Sequence, residues 1–219
     1  MVNRTAIVVL LLIGLFSANE AAQAGNDWEF WSHYEVVSSI NDDLDFKVKP
    51  ELRYNNDFGN HYYTHVDVGL DWKIKDWFIL SPYYRHVDEK KNEDWRVEHR
   101  PHLSGTFKWK LFGLSFDDRN MLEYRIKEDK EDKDFFRYRN KLTLSLPKVT
   151  KFGIQPYVAD EPFYDFDVNE LNKNRLYAGL DFKTTKNIKV GVYYILESRK
   201  KSGSWTNVNV LGLSLQYRF

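Results

Sequence analysis

Charged residues in this chain recur two apart, and that spacing is where its chemistry must be sought. Glu51 and Arg53, then Arg96, Glu98 and Arg100, then Glu123 and Arg125, Arg137 and Arg139, and Glu197 and Arg199 stand at i, i+2. Arg119, Glu161 and Arg175 occupy similar apolar-alternating surroundings. In an extended chain such positions share one face. A guanidinium and a carboxylate pair through parallel hydrogen bonds, so these faces could brace a narrow interior with ion pairs. Basic residues outnumber acidic ones on them, and the acids are displaced into connecting segments. The same lining could therefore border a water-filled passage that favours anions.

Catalytic arrangements are weaker. His61 and His86 with Asp57 and Asp88 supply the groups of a rim protease, but acidic connections produce such pairs by chance. Ser104 and His102 share a face without a local nucleophile signature. His99 falls on the opposite, apolar face. No phosphate-binding glycine loop or metal-spaced cluster is present, and the chain has no cysteine. The residues imply no enzyme, cofactor or metal, and nothing in them suggests nucleic acid.

The charged faces need strands to position them. Leu211, Leu213, Leu215, Tyr217 and Phe219 alternate with Gly212, Ser214, Gln216 and Arg218. A strand with one wholly apolar face would aggregate in water and suits the outer wall of a lipid-embedded barrel. Ten segments of this kind run from Asp43 to Phe219, each long enough to cross a bilayer when tilted. Examples are Leu44, Phe46, Val48, Pro50, Leu52 and Tyr54 against Asp45, Lys47, Lys49, Glu51 and Arg53, and Tyr62 to Ile74 against His65, Asp67, Asp71 and Lys73. Mean hydropathy is −0.59, as expected where only alternate residues meet lipid. Lys plus Arg and Asp plus Glu are equal at 32, so net charge identifies no partner.

Aromatics make up 16% of residues and sort by height. Trp72, Phe78, Trp109, Phe182, Tyr217 and Phe219 fall at one end of the segments. Tyr54, Tyr62, Tyr84, Trp95, Tyr124, Phe136, Tyr138 and Tyr194 fall at the other. Two aromatic rows around an aliphatic band are the girdles of two water–lipid interfaces. Short turns at 75–76, 110–113, 147–153 and 185–187, against longer polar connections at 55–60, 88–94, 128–134, 160–173 and 200–204, place the C-terminus in the periplasm. Three features fit less well. Trp28 to Val37 makes an eleventh segment where an even number is expected, so it either packs elsewhere or pairs with a twelfth within Pro162 to Leu171. Asp118 and Asn120 fall on the lipid face, which suggests a bulge or covered patch. Pro50, Pro82, Pro101 and Pro156 sit inside strands and suggest local bulges.

Arg4, the apolar run Ala6 to Phe16, and Ala22-Gln23-Ala24 describe a secretory signal peptide over residues 1–24. One barrel domain over 25–219 would remain. A closing strand with Leu215, Tyr217 and a C-terminal Phe219 resembles the signal read by the bacterial outer-membrane assembly machinery.

Glu51-Leu52-Arg53-Tyr54, Glu98-His99-Arg100-Pro101, Leu122-Glu123-Tyr124-Arg125, Arg137-Tyr138-Arg139-Asn140-Lys141-Leu142, Asp160-Glu161-Pro162-Phe163-Tyr164 and Asn174-Arg175-Leu176 occur in this order. This succession resembles the bacterial outer-membrane barrel family of domain of unknown function 2490. The resemblance implies an outer-membrane barrel without a settled activity, with the Arg and Glu network as its shared feature.

The combined expectation is an all-β, transmembrane, antiparallel up-and-down barrel of about 10–12 strands in the bacterial outer membrane. Its lumen is lined by Glu51, Arg53, Arg96, Glu98, Arg100, Arg119, Glu123, Arg125, Arg137, Arg139, Glu161, Arg175, Glu197 and Arg199. Its partners are outer-membrane lipids, lipopolysaccharide, the barrel assembly machinery and periplasmic chaperones. It acts as a porin-like passive channel for small anions. The alternatives are a structural or assembly barrel with a closed, salt-bridged lumen and, third, a lipid-modifying enzyme. Oligomeric state stays open.

Overall fold

Period-two alternation becomes strand throughout a computed structural model, which describes residues 24–91, 94–128, 133–149, 153–201 and 203–219. Residues 1–24, expected from the sequence as a signal peptide, lie outside these residues except for Ala24. Among the described residues there are eleven strands: β1 (Ala24–Ser39), β2 (Leu44–Asn55), β3 (Asn60–Lys75), β4 (Phe78–Lys91), β5 (Asp94–Leu111), β6 (Leu114–Lys127), β7 (Phe135–Ser145), β8 (Gln155–Asp165), β9 (Glu170–Lys183), β10 (Ile188–Lys201) and β11 (Ser204–Arg218). They close into one barrel in chain order.

Successive strands pair antiparallel, and β1 closes on β11 in parallel, from Trp28↔Asn209 to Val37↔Arg218 without a slip. An odd number of alternating strands leaves the first and last pointing the same way, so a parallel seam is dictated by the count. Trp28 to Val37 is therefore wall, and the expected even count does not hold. No twelfth strand lies in Pro162 to Leu171. Pro162 to Asp165 completes β8 and Glu170-Leu171 opens β9.

Every strand end lies at one of two rims. The C-terminal rim, where β11 ends, carries the connections at 40–43, 76–77, 112–113, 146–154 and 184–187; the distal rim carries those at 56–59, 92–93, 128–134, 166–169 and 202–203. The longest connection is at the C-terminal rim. The expected contrast between short turns and long loops does not hold among the described residues, because much of 88–94 and 160–173 is strand. At 112–113 the two-residue loop has Phe112 at φ 52° and Gly113 at φ 80°. Positive φ at both positions is what a turn matched to strand twist requires.

The prolines do not cause bulges. Ladder partners continue in the same register past Pro50, Pro82 and Pro101, where one side of the ladder skips. Pro156 pairs with Leu180 where the β8/β9 register is unbroken, and Pro162, not among the four, skips in the same way as the first three. β1/β2 passes from His33↔Glu51 to Val36↔Val48 across Pro50. β3/β4 passes from Gly69↔Tyr83 to Trp72↔Leu80 across Pro82. β5/β6 passes from His99↔Ile126 to His102↔Glu123 across Pro101, and β7/β8 from Arg139↔Phe163 to Leu142↔Asp160 across Pro162. A missing N–H weakens pairing with the one neighbour it would face, and the other neighbour holds the register. Real shifts lie elsewhere, at Arg53/Tyr54 and Phe163/Tyr164. The first turns Tyr62 inward, where its hydroxyl donates to Glu29 at 2.6 Å. Tyr62 is thus not part of the outer aromatic row.

The outer face carries Val48, Val68, Leu103, Leu142, Leu180, Val192 and Leu213 between two aromatic rows. Trp109 stacks on Phe116 at 5.3 Å near the C-terminal rim, and Tyr124 packs on Phe136 at 4.6 Å near the distal one. Asp118 and Asn120 do face outward, in unbroken register with β5 and β7. No bulge hides them. Asn140 donates to Asp118 at 2.6 Å and to Asn120 at 3.2 Å, and Tyr138 donates to Asn120, so the group satisfies itself. Inside, Tyr83, Tyr157 and Tyr193 lie across the strand from Gly69, Gly179 and Gly212, where a Cβ would collide with each ring. Rings laid over bare backbone fill the interior and allow tight curvature.

The barrel lumen as candidate functional site

Alternation sends the even-spaced charges of each strand inward, and ladder register decides which of them meet. Arg53 donates to Glu51 at 2.6 Å within β2. Arg85 of β4 grips Asp67 of β3 with Nε–H and Nη2–H at 2.5 and 2.7 Å. Glu98 of β5 accepts from Arg100 at 2.6 Å and from Arg125 of β6 at 2.5 and 2.8 Å. Glu161 of β8 accepts from Arg119 at 2.7 Å, Arg139 at 2.8 Å and the Tyr177 hydroxyl at 2.6 Å, with Arg175 at 3.7 Å. Glu123 lies 3.4 Å from Arg139 and 3.6 Å from Arg137, which also forks onto Asp165. Glu197 is shared by Arg175, Arg199 and Lys173.

Aromatic and aliphatic side chains fill the spaces between these pairs. The Arg53 guanidinium lies 3.7 Å above Trp31 and 4.3 Å from Tyr63. Arg139 and Arg175 lie 4.6 and 4.8 Å from Phe163. Trp31, Ile195 and Val210 form the buried apolar nucleus. Glu123 and Glu197 are 0% exposed and Glu161 is 1%. Guanidinium planes stacked on rings keep both their charge partners and their packing. Ion pairs and rings thus form one packed layer inside the barrel.

Two cavities flank it. One of about 290 Å³ opens toward the distal rim and is lined by Tyr62, Arg100, Glu123, Arg125, Arg137, Lys173 and Arg199 among others. The other, about 430 Å³, opens toward the C-terminal rim and includes Glu35, Lys49, Asp71, Lys108, Asp117 and Lys141. Arg53, Arg85, Arg139 and Arg175 border both.

Thirteen of the lumen residues expected from the sequence take part in these pairs. Arg96 instead sits at the distal rim, across the ladder from Glu89. Leu215 and Tyr217 face outward, and Phe219 comes after β11, its ring 4.9 Å from Tyr217 and its N–H on the Val37 carbonyl at 3.0 Å. Alternation put Asp67, Arg85 and Tyr177 on inward faces without naming them as lining, and sequence reasoning missed Glu29, Trp31, Phe163, Asp165 and Lys173. Trp31 was legible as the alternate face of Trp28 and Phe30. Phe163 and Asp165 were obscured by the polar stretch around them.

The side chains named for a catalytic alternative are spread between the lumen, the distal rim and the outer face. His102 is 3.8 Å from Asp67, but both are buried in the lumen beside Ser104. His86 is 3.4 Å from Asp88, while His61 bonds Thr64 at 2.8 Å. His99 bridges the Tyr84 hydroxyl and Glu128, the latter at 2.9 Å, on the outer face. Among the described residues no group of three acidic or histidine side chains is placed to hold a metal.

Fold and site together define a closed eleven-stranded β-barrel with an apolar exterior and an ion-paired interior. The chain belongs to the family described as protein of unknown function (DUF2490), whose model matches residues 28–208. No curated protein sequence matches it. A solved structure described as a bacterial polysaccharide outer membrane secretin is similar at 13% identity and TM-score 0.46, over 82% of this chain and 77% of that one.

Proposed function

We propose that this chain is a bacterial outer-membrane β-barrel whose lumen is braced shut by its Arg–carboxylate septum. The observation that carries this reading is the packing inside the lumen: three carboxylates with essentially no exposure lie among guanidiniums and rings, and four of the arginines border the cavities on both sides. Support for the membrane comes from the exposed aliphatic band between aromatic rows. Even the 11-residue strands β7 and β8 rise roughly 28 Å at about 40° tilt, against an apolar band about 25 Å tall. Outer-membrane lipids and lipopolysaccharide would surround the band, and assembly machinery with periplasmic chaperones would deliver the chain. The orientation is open to test: with the C-terminal rim in the periplasm, a cysteine at Ser204 labels from outside intact cells and one at Lys186 does not, and reversed labelling turns the barrel over. The proposal includes no catalytic step.

A porin-like passage for small anions is the second reading, favoured by the basic lining of the distal cavity. It requires the septum to part. Recording from the purified chain in planar bilayers separates the two. The closed reading expects no stepwise current over the ordinary voltage range. A stable open level with anion preference would replace it by the porin reading.

A further inference from the structure

We propose that the distal vestibule is a binding site for a compact polyanion of the phosphate or pyrophosphate class, free or borne on a lipid headgroup. The proposal rests on the closed-lumen reading in one respect: the septum is the floor that keeps the anion from passing on.

The cavity surface is more basic than the wall behind it. Ten of its lining residues are Lys or Arg and two, Glu89 and Glu123, are acidic. The compensating carboxylates lie behind the cations and are shared. Arg100 and Arg125 both spend their hydrogen bonds on Glu98. Lys173, Arg175 and Arg199 share Glu197; Arg199 also reaches Glu29 at 3.1 Å and Arg175 Glu161 at 3.7 Å, while Lys173 is held only at 3.7 Å. Positive charge in excess of its partners is costly inside low-dielectric walls, and an anion that enters relieves that cost.

Two donors are left over in the same place. The Nε–H groups of Arg100 and Arg139 have no hydrogen-bond partner, although these side chains are only 6% and 7% exposed. Both residues border the cavity. Guanidinium forks match the paired oxygens of a phosphoryl group, which a single-point anion such as chloride does not exploit. A volume of about 290 Å³ admits a small phosphorylated group and excludes a folded partner.

The test is calorimetric titration of the full chain in a non-ionic detergent at low salt. The probes are sodium pyrophosphate and, separately, a bisphosphorylated disaccharide glycolipid dispersed in the same detergent. Saturable binding of one ligand per barrel is expected, weakening as sodium chloride is raised. Lys173→Gln should weaken it about tenfold, the worth of one charge-assisted bond. Lys108→Gln, in the other cavity, should leave it unchanged. Lys173 is paired only loosely, so this variant spares the septum. Pyrophosphate binding assigns the site to a free ligand, and glycolipid binding alone assigns it to a headgroup. Saturation by neither, or equal affinity with and without Lys173, overturns the proposal. Because the readout is binding and not current, a conducting barrel would overturn the closed-lumen reading and leave this result to stand on its own.

Discussion

The two cavities are built from the same strands and the same alternation, yet they differ in kind. Toward the C-terminal rim, acids and bases alternate on the cavity's own surface. Lys47 bridges Glu35 at 2.9 Å and Asp71 at 2.8 Å, and the Tyr83 hydroxyl donates to Asp71 at 2.9 Å. Toward the distal rim the acids stand behind the bases, and the cavity sees mostly guanidinium. Carboxylates on a cavity's surface neutralise it, whereas carboxylates recessed in the wall only anchor the cations. A lumen can therefore be paired nearly throughout and still present a one-signed pocket.

Joining the two cavities should have the largest effect. Trp31→Ala removes the ring on which Arg53 rests and opens the partition. Current should appear where the wild type has none. Reversal potentials in a salt gradient should show anion preference, fading as salt screens the wall charge. Lys173→Gln added to Trp31→Ala should lower that preference and Lys108→Gln should not. Equal effects of the two would mean that the cavities do not differ as described.

Next is the contrast in stability. Glu161→Gln leaves Arg119, Arg139 and Arg175 short of their shared carboxylate and should cost about 3–5 kcal/mol. Glu35→Gln should cost well under half of that, because Lys47 keeps Asp71. Thermal unfolding of the two purified variants side by side checks this, and similar losses would erase the distinction between septum and vestibule.

Smaller still are changes to the wall that both cavities share. Leu213→Arg should cost about 2–4 kcal/mol if this face meets the lipid midplane, while Trp205→Arg near the distal rim should cost about 1 kcal/mol or less. Refolding equilibria into lipid vesicles measure both, and equal values would argue against an apolar belt of defined height. The least effect is expected from Asp118→Asn, which removes an outward charge and keeps an acceptor for Asn140. It should change stability by no more than about 1 kcal/mol, on the stabilising side, in the same assay.

Much of the inner face was legible in the residues. Alternation assigned Glu51, Arg53, Glu98, Arg100, Glu123, Arg125, Arg137 and Arg139 to it, because a strand's faces are set by local geometry alone. Pro50, Pro82 and Pro101 were legible as interruptions but not as one-sided ones, since the side affected depends on which neighbour the missing N–H would face. Tyr62 was misassigned because a single extra residue in one strand flips every later side chain to the other face, and nothing in the alternation marks where the flip occurs.

The sequence by itself determined the class of wall: strands with an apolar outer face, aromatic rows at two heights and an inner face rich in Arg and Glu. These are properties of one strand at a time. Only the tertiary structure decided the odd count with its parallel seam, and the placing of Trp31 and Phe163 under the guanidiniums. It also decided which cations share Glu161 and Glu197, and the splitting of the lumen into a mixed and a basic cavity. Those outcomes depend on stagger accumulated around the whole barrel, and a slip of one residue at any seam would exchange every inward partner for an outward one.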